Sequence, residues 1–583
     1  MRYVLFATAG HVDHGKTTLI KKLTGIDTDR LPEEKKRGLS IDLGFAYLDF
    51  PELNLRLELI DVPGHERFIK NAIAGLSSVS GFLLVVDAGE GVMPQTREHM
   101  QVAKSLGIKH GVAVLTKIDK NPKELTALAQ EELEEFLKEE GFEIPIVRVS
   151  ATTGKGIEEL KKVLSEQAQR SLEKKEELPL RVVIDSAFTV KGHGTVLRGS
   201  CVEGWVKEGD KVIVEPIGKP ARIRRIQNHG RFVREAEAGE RVALNLPEVE
   251  TDEVERGFLV LKPNTYVKGR SLIISTEAEL RDGRVYYTFF GMREVRGRFS
   301  PIGEGLYILR LDEEVVARRG DRFVILDSTG RLAGGGEVLH PAVRVRKKRF
   351  IREKAELLKE NFEAYLLKEM GTEGLSGELF RRMTGRAPNT GRLESISLKV
   401  GNRFYHIEMV ELLKEKLRSM VDERLTEGSL GVPKAEVLER LGLSNELLEH
   451  LVSELPGIRL VGEYILDEKR SELEKDPDFV RVMEILKEGI KEEKELLGAS
   501  VRKDVLQIAI KRKRVHRLGE FLIISDELLR EYIKQLRELG ESFTVQEAKG
   551  KLGLTRKYLI PLLEYLDYLG LTERRENERI WRA

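Results

Sequence analysis

The sequence has almost no cysteine. Cys201 stands alone among 583 residues, which excludes an internal disulfide framework and a cysteine-rich zinc site. It fits a reducing, intracellular compartment. The chain also lacks a charge imbalance, with 98 Lys and Arg against 97 Asp and Glu. Any nucleic-acid binding must therefore come from local basic patches and not from net charge. No apolar run reaches the roughly 18 residues of a membrane helix, so no membrane association is expected. The opening MRYVLFATAG runs straight into a glycine motif and is too short for a secretory leader, and a cytoplasmic protein is expected. Glutamine is scarce while charged residues make up 33%, a composition that leans toward heat adaptation.

What is present begins with length. At about 100–200 residues per domain, the chain holds several domains. An apolar strand, YVLFATAG, leads into GHVDHGKT (Gly10 to Thr17) and then a helical TLIKKLTG. Strand, G-x-x-x-x-G-K-[ST], helix is the setting of a phosphate-binding loop. Its glycines let backbone N–H groups curl around phosphates, and the helix N-terminus adds partial positive charge. The nucleotide-binding candidates here are Gly10, Asp13, His14, Gly15, Lys16, Thr17 and Thr18. Lys16 reaches the β- and γ-phosphates and the Thr17 hydroxyl ligates Mg²⁺ in such loops.

Other segments end apolar strands in the same way. LELIDVPGHE places Asp61 where a carboxylate holds Mg²⁺ through water, and Gly64 where an amide meets the γ-phosphate. GVAVLTKID ends at Thr116, Lys117 and Asp119. An aspartate there accepts hydrogen bonds from guanine N1 and its exocyclic amine, donors that adenine lacks, so GTP and GDP are favoured over ATP. IVRVSATTGKG ends at Ser150 and Ala151, where a backbone amide meets guanine O6. Ligands of open parallel sheets bind at the carboxyl ends of strands.

After SLEKKEELPL, a linker, the pattern changes to short alternating strands with glycine turns, as in RVVIDSAFTV and GTVLRGSCVEG. That predicts a β-barrel, followed by a second that closes near Pro341. The last 240 or so residues are mostly helical, in recurring units of about 60–70 that each end in a short β pair. Helix, turn, helix and ribbon is the winged-helix plan, and four copies are expected. In the last, LTRKYLIPLLEYLDYLG predicts a helix with Thr555 as N-cap and Leu559, Leu562, Leu563, Leu566 and Leu569 as its apolar stripe. Arg556, Lys557 and Tyr558 fall at its nose, and RRENER predicts a basic wing tip of Arg574, Arg575 and Arg579. The preceding unit adds Arg502, Lys503, Lys511, Arg512, Lys513 and Arg514. Charge alone reads first as solvated faces and only second as an RNA surface.

GHVDHGKT together with DVPGHE resembles the translational GTPases, the elongation-factor group. That likeness implies a GTP–Mg²⁺ switch triggered by the ribosome, with His65 orienting the attacking water as the catalytic residue and Val12 flanking its approach. PEEKKRG, SIDLGFAY and the terminal TRKYLIPLLEYLDYLG resemble SelB, the selenocysteine-specific elongation factor family. The resemblance puts Ser40 at the switch position where most relatives carry a Mg²⁺-ligating threonine, and Thr116 where they carry asparagine. It implies a body like that of elongation factor Tu, which grips the acceptor end of selenocysteinyl-tRNA. A selenol is far more acidic than a serine hydroxyl, so a fixed positive charge favours it. The family pattern maps that pocket onto Asp185 and Arg241, with His193 as a third candidate. It further implies binding of the selenocysteine insertion hairpin in mRNA through Lys511, Arg512, Arg514, Arg556, Lys557, Tyr558, Arg574 and Arg575.

The expected division is a GTPase domain at 1–172, β-barrels at 178–260 and 261–345, and winged helices at 346–417, 418–472, 473–528 and 529–583, in a monomer. Two other readings stay open from the residues: a Tu-like tRNA carrier with an unrelated tail, and a DNA-binding regulator switched by its GTPase domain.

Overall fold

A computed structural model describes residues 1–29, 40–65, 68–172, 178–343 and 348–582. The PEEKKRG lead-in, the linker's charged run at 173–177 and part of the basic segment before residue 350 lie outside the described residues. The chain divides into two compact units, Met1–Tyr365 with Gly377–Asn389, and Leu366–Ser376 with Thr390–Ala583.

The first unit opens with an α/β domain. Its elements are β1 (Arg2–Ala9), α1 (Lys16–Thr24), β2 (Gly44–Phe50), β3 (Leu55–Asp61), α2 (Ile69–Leu76), β4 (Gly81–Asp87), α3 (Pro94–Ser105), β5 (His110–Thr116), α4 (Lys123–Glu140), β6 (Ile146–Arg148) and α5 (Ile157–Leu172). The sheet order is β2-β3-β1-β4-β5-β6. All neighbours are parallel except β2, which runs against β3. The central strands are apolar throughout because helices cover both faces; every residue of β4 is buried. Parallel strands put the carboxyl ends of β1, β3, β4 and β5 on one rim, where the nucleotide motifs lie.

Two β domains follow. The first is an eight-stranded antiparallel sheet with a two-stranded ribbon, wrapped about one core that includes Val182, Leu197, Val212 and Leu244. Its leading hairpin is β7 (Arg181–Val190) and β8 (Gly194–Glu203). The boundary expected at 260/261 falls inside its strand Leu259–Leu261. The second is a closed barrel whose strands run from Val267–Ser275 to Leu332–His340.

The winged-helix pattern recurs as four separate three-stranded sheets. In each, a short strand precedes two helices, and the last strand of a hairpin pairs with it; the final copy joins Ser542–Thr544, Thr572–Arg575 and Glu578–Trp581. Two expected boundaries need correction. The cut at 417/418 falls inside the helix Ile407–Thr426, which holds no Gly or Pro to stop it and starts where the His406 ring accepts from the Glu408 N–H. The cut at 528/529 falls inside Asp526–Arg537, which starts at the cap made by Ser525 to the Leu528 N–H at 3.2 Å. Each helix opens the copy that follows it.

The terminal helix spans Arg556–Tyr568, with Pro561 inside it. Thr555 occupies the N-cap position, but its side chain makes no capping hydrogen bond. Leu559, Leu562, Leu563 and Leu566 are buried, whereas Leu569 is the C-cap and 43% exposed, outside the expected stripe. Among the described residues no helix is long and apolar enough to cross a membrane.

Candidate functional site

The loop between β1 and α1 turns through three left-handed residues, Gly10 (φ 127°), Asp13 (φ 62°) and Gly15 (φ 91°). Gly10 has no room for a side chain, since a Cβ would meet Val85 O at 2.1 Å. Lys16 is buried under the loop and donates to Gly10 O (3.0 Å) and His11 O (2.6 Å). Burial pulls its ammonium down to about 8, against the raising effect of Asp61 and Asp13. The His14 ring does not point outward. It is buried, with Nδ1 3.4 Å from Val85 O and Nε2 3.2 Å from Glu90, so only its backbone faces a ligand. Thr18 is exposed on α1.

Thr17, Ser40 and Asp61 come together. The Thr17 and Ser40 hydroxyls are 3.0 Å apart, and Ser40 donates to Asp29 at 2.8 Å. Asp61 accepts from Thr8 (3.0 Å) and Thr28 (2.7 Å). Burial raises its carboxyl, opposed by the hydroxyls of Thr28 and Thr17. Hydroxyls and a carboxylate are hard oxygen donors of the kind Mg²⁺ takes, so these residues fit that ion. Gly64 presses on the loop: a Cβ there would lie 2.3 Å from Lys16 Nζ and 2.8 Å from Val12 N. His65 follows it, half-buried, its ring 6.0 Å from that of Phe68.

The base end is built from β5 and the loop after β6. Thr116 Oγ1 lies 2.8 Å from His14 O and 3.2 Å from Val86 O, tying the phosphate loop to the sheet. Lys117 is left-handed (φ 56°) and pairs with Asp87 at 2.7 Å. The Ser150 hydroxyl holds the Asp119 carboxyl below its ordinary range. Ser150 itself accepts from the Thr153 N–H at 3.0 Å, next to Ala151.

Sequence reasoning missed two residues of α3. Gln95 Oε1 accepts from the Val12 N–H, and His99 Nδ1 from the Gly10 N–H, each at 3.1 Å. They are one helical turn apart and so share a face. That spacing, in a helix of otherwise small and apolar buried residues, was the available signal.

In the first β domain, Asp185 is the extra residue of a β-bulge between Ile184 and Ser186. A bulge re-aims its side chain, and here the carboxylate accepts twice from Arg241, at 2.6 and 3.1 Å. Their side chains are only 8% and 11% exposed. His193 is not brought to this pair. It lies past Val190, five positions along β7 from Asp185, a rise of roughly 16 Å. There it lines a cavity of about 100 Å³ with Phe188, Val196 and Phe232.

Comparison with known proteins places this geometry. Residues 1–170 match the elongation factor Tu GTP binding domain and 194–261 match elongation factor Tu domain 2. Residues 345–401, 407–468 and 475–525 match the first, second and third winged-helix domains of elongation factor SelB, and 534–581 match a SelB winged helix. The selenocysteine-specific elongation factor of Desulfomicrobium baculatum is 31% identical, with 99% of each chain covered. That of Escherichia coli K12 is 30% identical over the same shares. The chain belongs to the SelB family. The crystal structure of a bacterial selenocysteine-specific elongation factor, EF-Sec, is 58% identical and superposes with a TM-score of 0.92 over 100% of both chains. SelB of Methanococcus maripaludis, solved with the GTP analogue GppNHp, is 28% identical, covering 58% of this chain and 79% of that one, at a TM-score of 0.52.

Within the SelB arm the candidate RNA residues separate. Arg556, Arg574 and Arg575 are exposed at the terminal helix nose and wing. Lys557 is instead engaged by Glu492 at 2.5 Å, which raises its ammonium. Tyr558 packs partly buried on the core formed by Leu559 and Leu563. Arg579 is no wing-tip residue: it is 4% exposed and donates to Asp567 at 3.0 Å. The Asp567 carboxylate on the terminal helix draws its guanidinium inward. In the preceding copy Lys511 and Lys513 are exposed, Arg512 donates to Ser471 O at 3.2 Å, and Arg514 lies 3.4 Å from Glu474. Arg502 is spent on Asp476 and Asp478, whereas Lys503 is exposed.

Proposed function

We propose that this chain, a GTP-dependent selenocysteine-specific elongation factor, carries selenocysteinyl-tRNA to the ribosome at UGA codons. It acts in the cytoplasm, as a monomer, and its winged helices bind the selenocysteine insertion hairpin of the mRNA. The observation that carries the reading is the union, in one chain, of a GTPase domain with winged helices that SelB relatives share end to end. The Tu-like carrier with an unrelated tail and the DNA regulator both lack an account of that union.

The GTPase acts by positioning and charge stabilisation. Gly10 to Thr18 hold the phosphates, Lys16 offsets their charge, and Asp119, Thr116, Lys117, Ser150 and Ala151 frame the guanine. Mg²⁺, when bound, would neutralise the phosphate oxygens, held by the Thr17 and Ser40 hydroxyls and, through water, by Asp61. His65, carried next to Gly64, orients the attacking water. The domains that divide this work are 1–172, 178–261 and 262–345, with winged helices thereafter joined at 406/407, 468–476 and 525/526.

Selenocysteine is read in the first β domain. Arg241 holds a positive charge in place, shared with Asp185, and an ionised selenol draws on it where a neutral serine hydroxyl does not. The test is the affinity of Arg241→Ala for selenocysteinyl- and seryl-tRNA. A larger loss for selenocysteinyl-tRNA is expected; equal losses would sink the pocket. Competition between an RNA hairpin and duplex DNA of equal charge tests the arm, and duplex preference would favour the regulator.

A further inference from the structure

The third winged-helix copy turns its hairpin differently from the second. In the second, Val461 pairs with Tyr464, and Gly462 and Glu463 make the turn. In the third, Leu518 pairs with Leu522, and the turn is longer by one residue: Gly519, Glu520 and Phe521. Tyr464 therefore stays in its strand, partly buried, whereas Phe521 is carried to the tip and is 65% exposed. The tip is fixed by its backbone. The Phe521 carbonyl accepts from the Glu493 N–H at 2.7 Å, at the start of the helix Glu493–Gly498. Gly519 supplies the left-handed residue of the turn (φ 60°). A well-anchored turn thus holds a phenyl ring out in water, where an apolar ring of this size forgoes the burial it finds in a core.

That tip lies beside the nose of the terminal helix. A Cβ on Gly519 would sit 3.9 Å from the Pro561 Cβ. Glu492, next to the residue that anchors Phe521, binds Lys557 at 2.5 Å. Leu518 and Leu522, which flank the turn, share one core with Tyr558, Leu559 and Leu562. Arg556 and Lys557 are exposed at the nose, and Lys494 extends from the same corner, 80% exposed. The fourth copy thus brings cations to this surface and the third brings an aromatic face. The surface is not a plain positive patch, since Glu492, Glu493 and the exposed Glu520 lie within it. Coulombic attraction for a phosphate chain is partly offset there, which leaves the exposed ring as the distinctive feature.

We propose that Phe521 is a base-stacking residue: an unpaired base, splayed out of the hairpin whose phosphates Arg556 holds, lies on the Phe521 ring. This rests on the reading of the terminal copy as the hairpin-binding end. Single-stranded bases stack on aromatic side chains whatever their identity, because every base has a π-face. A continuous stem keeps its bases stacked on one another and offers none. The ring therefore selects a loop or bulge over a plain stem without reading which base is presented. It gives the third copy a share in recognition and makes its joint with the fourth part of the site. Tyr568 is a second exposed aromatic, at 82%, but its ring stacks on Tyr565 at the other end of the terminal helix. Twelve residues of helix put it roughly 18 Å from Arg556, outside this surface.

The experiment uses the full-length protein and the RNA hairpin that follows an in-frame UGA in the source genome. A fluorescent purine that is quenched by stacking replaces each unpaired position in turn, and a fully paired RNA duplex of equal length is the comparison. Phe521→Ala is expected to weaken hairpin binding by about 5- to 100-fold. The slope of log affinity against log salt should not change, because no phosphate contact is lost. Quenching at one unpaired position should disappear, and Phe521→Trp should restore both affinity and quenching. Duplex binding and the melting temperature should stay at wild-type values. An unchanged hairpin affinity, an equal fall for hairpin and duplex, or an equal loss in Tyr568→Ala overturns the stacking role. Arg556→Ala is run beside these. If it leaves hairpin affinity unchanged, the hairpin reading itself fails; if it weakens binding while Phe521→Ala does not, only the present inference fails.

Discussion

The Gly10 N–H donates to Nδ1 of the fully buried His99 at 3.1 Å, which requires that imidazole to be neutral at Nδ1. Burial, helped by Lys16 and His11, drives His99 down to about 3. His99→Phe keeps the bulk and removes the acceptor, leaving a buried amide unpaired at about 1–3 kcal/mol. Thermal unfolding should show that loss, with weaker GTP binding. The pH dependence follows from linkage. The unfolded histidine takes a proton near 6.5 while the folded one resists to about 3, so stability is full above the upper value and falls as pH drops through this window. The slope is about 1.4 kcal/mol per pH unit for one such group. His99→Phe should flatten the acid limb; an unaltered limb would count against the assignment.

Lys16 titrates in a range that binding experiments reach. With its ammonium at about 8, the free protein loses that charge just above neutrality, while bound phosphates hold the proton on. Nucleotide binding then takes up a proton above pH 8 or so. Affinity should be level below that point and fall by up to about tenfold per pH unit above it. Fluorescent GDP titrated from pH 6.5 to 9.5 checks this. A flat profile would refute it.

Ser40 joins Thr17 to Asp29 through one hydroxyl. Ser40→Ala should weaken GTP more than GDP, by about tenfold, the size of one hydrogen bond to a charged group. Ser40→Thr should retain the ratio. The readout is the GTP/GDP affinity ratio at saturating and limiting Mg²⁺, and an identical shift for both nucleotides would argue against a switch role.

Arg574 and Arg575 should behave unlike Arg579. Alanine at either exposed position is expected to lower the slope of log affinity against log salt for a hairpin RNA by about 1, without moving the melting temperature. Arg579→Ala should lower the melting temperature, because Asp567 then loses its buried partner. If Arg579→Ala alone changed the salt slope, the assignment of the wing would be reversed.

Glu492→Gln frees Lys557 from a partner in the preceding copy. Hairpin affinity should rise and the salt slope steepen by about 1 as the ammonium becomes available to phosphate. A fall in affinity would mean that the pair orders the surface and does not compete with RNA.

The phosphate loop was legible because its geometry demands particular residues at fixed spacing: only Gly10 and Gly15 take those φ values cheaply, and only a lysine spans the loop. The strand-end motifs were legible for the same reason, since a parallel sheet collects them on one rim. Pairing between distant segments was not. Nothing local tells that Lys557 meets Glu492, that Arg502 meets Asp476, or that Arg579 turns inward to Asp567. His193 was a third candidate beside the Asp185 and Arg241 of the family pattern, and a few strand positions separate it from them. The copy boundaries at 417/418 and 528/529 were misplaced because a helix that starts one copy and a helix that ends another look alike without the strand pairing.

The strand-to-helix joints carry a last consequence. Strand Arg403–His406 passes into Ile407–Thr426, and strand Leu522–Ser525 into Asp526–Arg537, with no residue between. Each joint is capped by its own last strand residue. An α-helix turns about 100° and advances 1.5 Å per residue. A single codon gained or lost in either helix therefore rotates every later side chain by about a quarter of a turn relative to the copy before it. The arm is phase-locked at these two joints, whereas the junction between Asp467 and Pro477 is a connector with one 3₁₀ turn, pinned by the buried Leu473 and by Asp476 on Arg502.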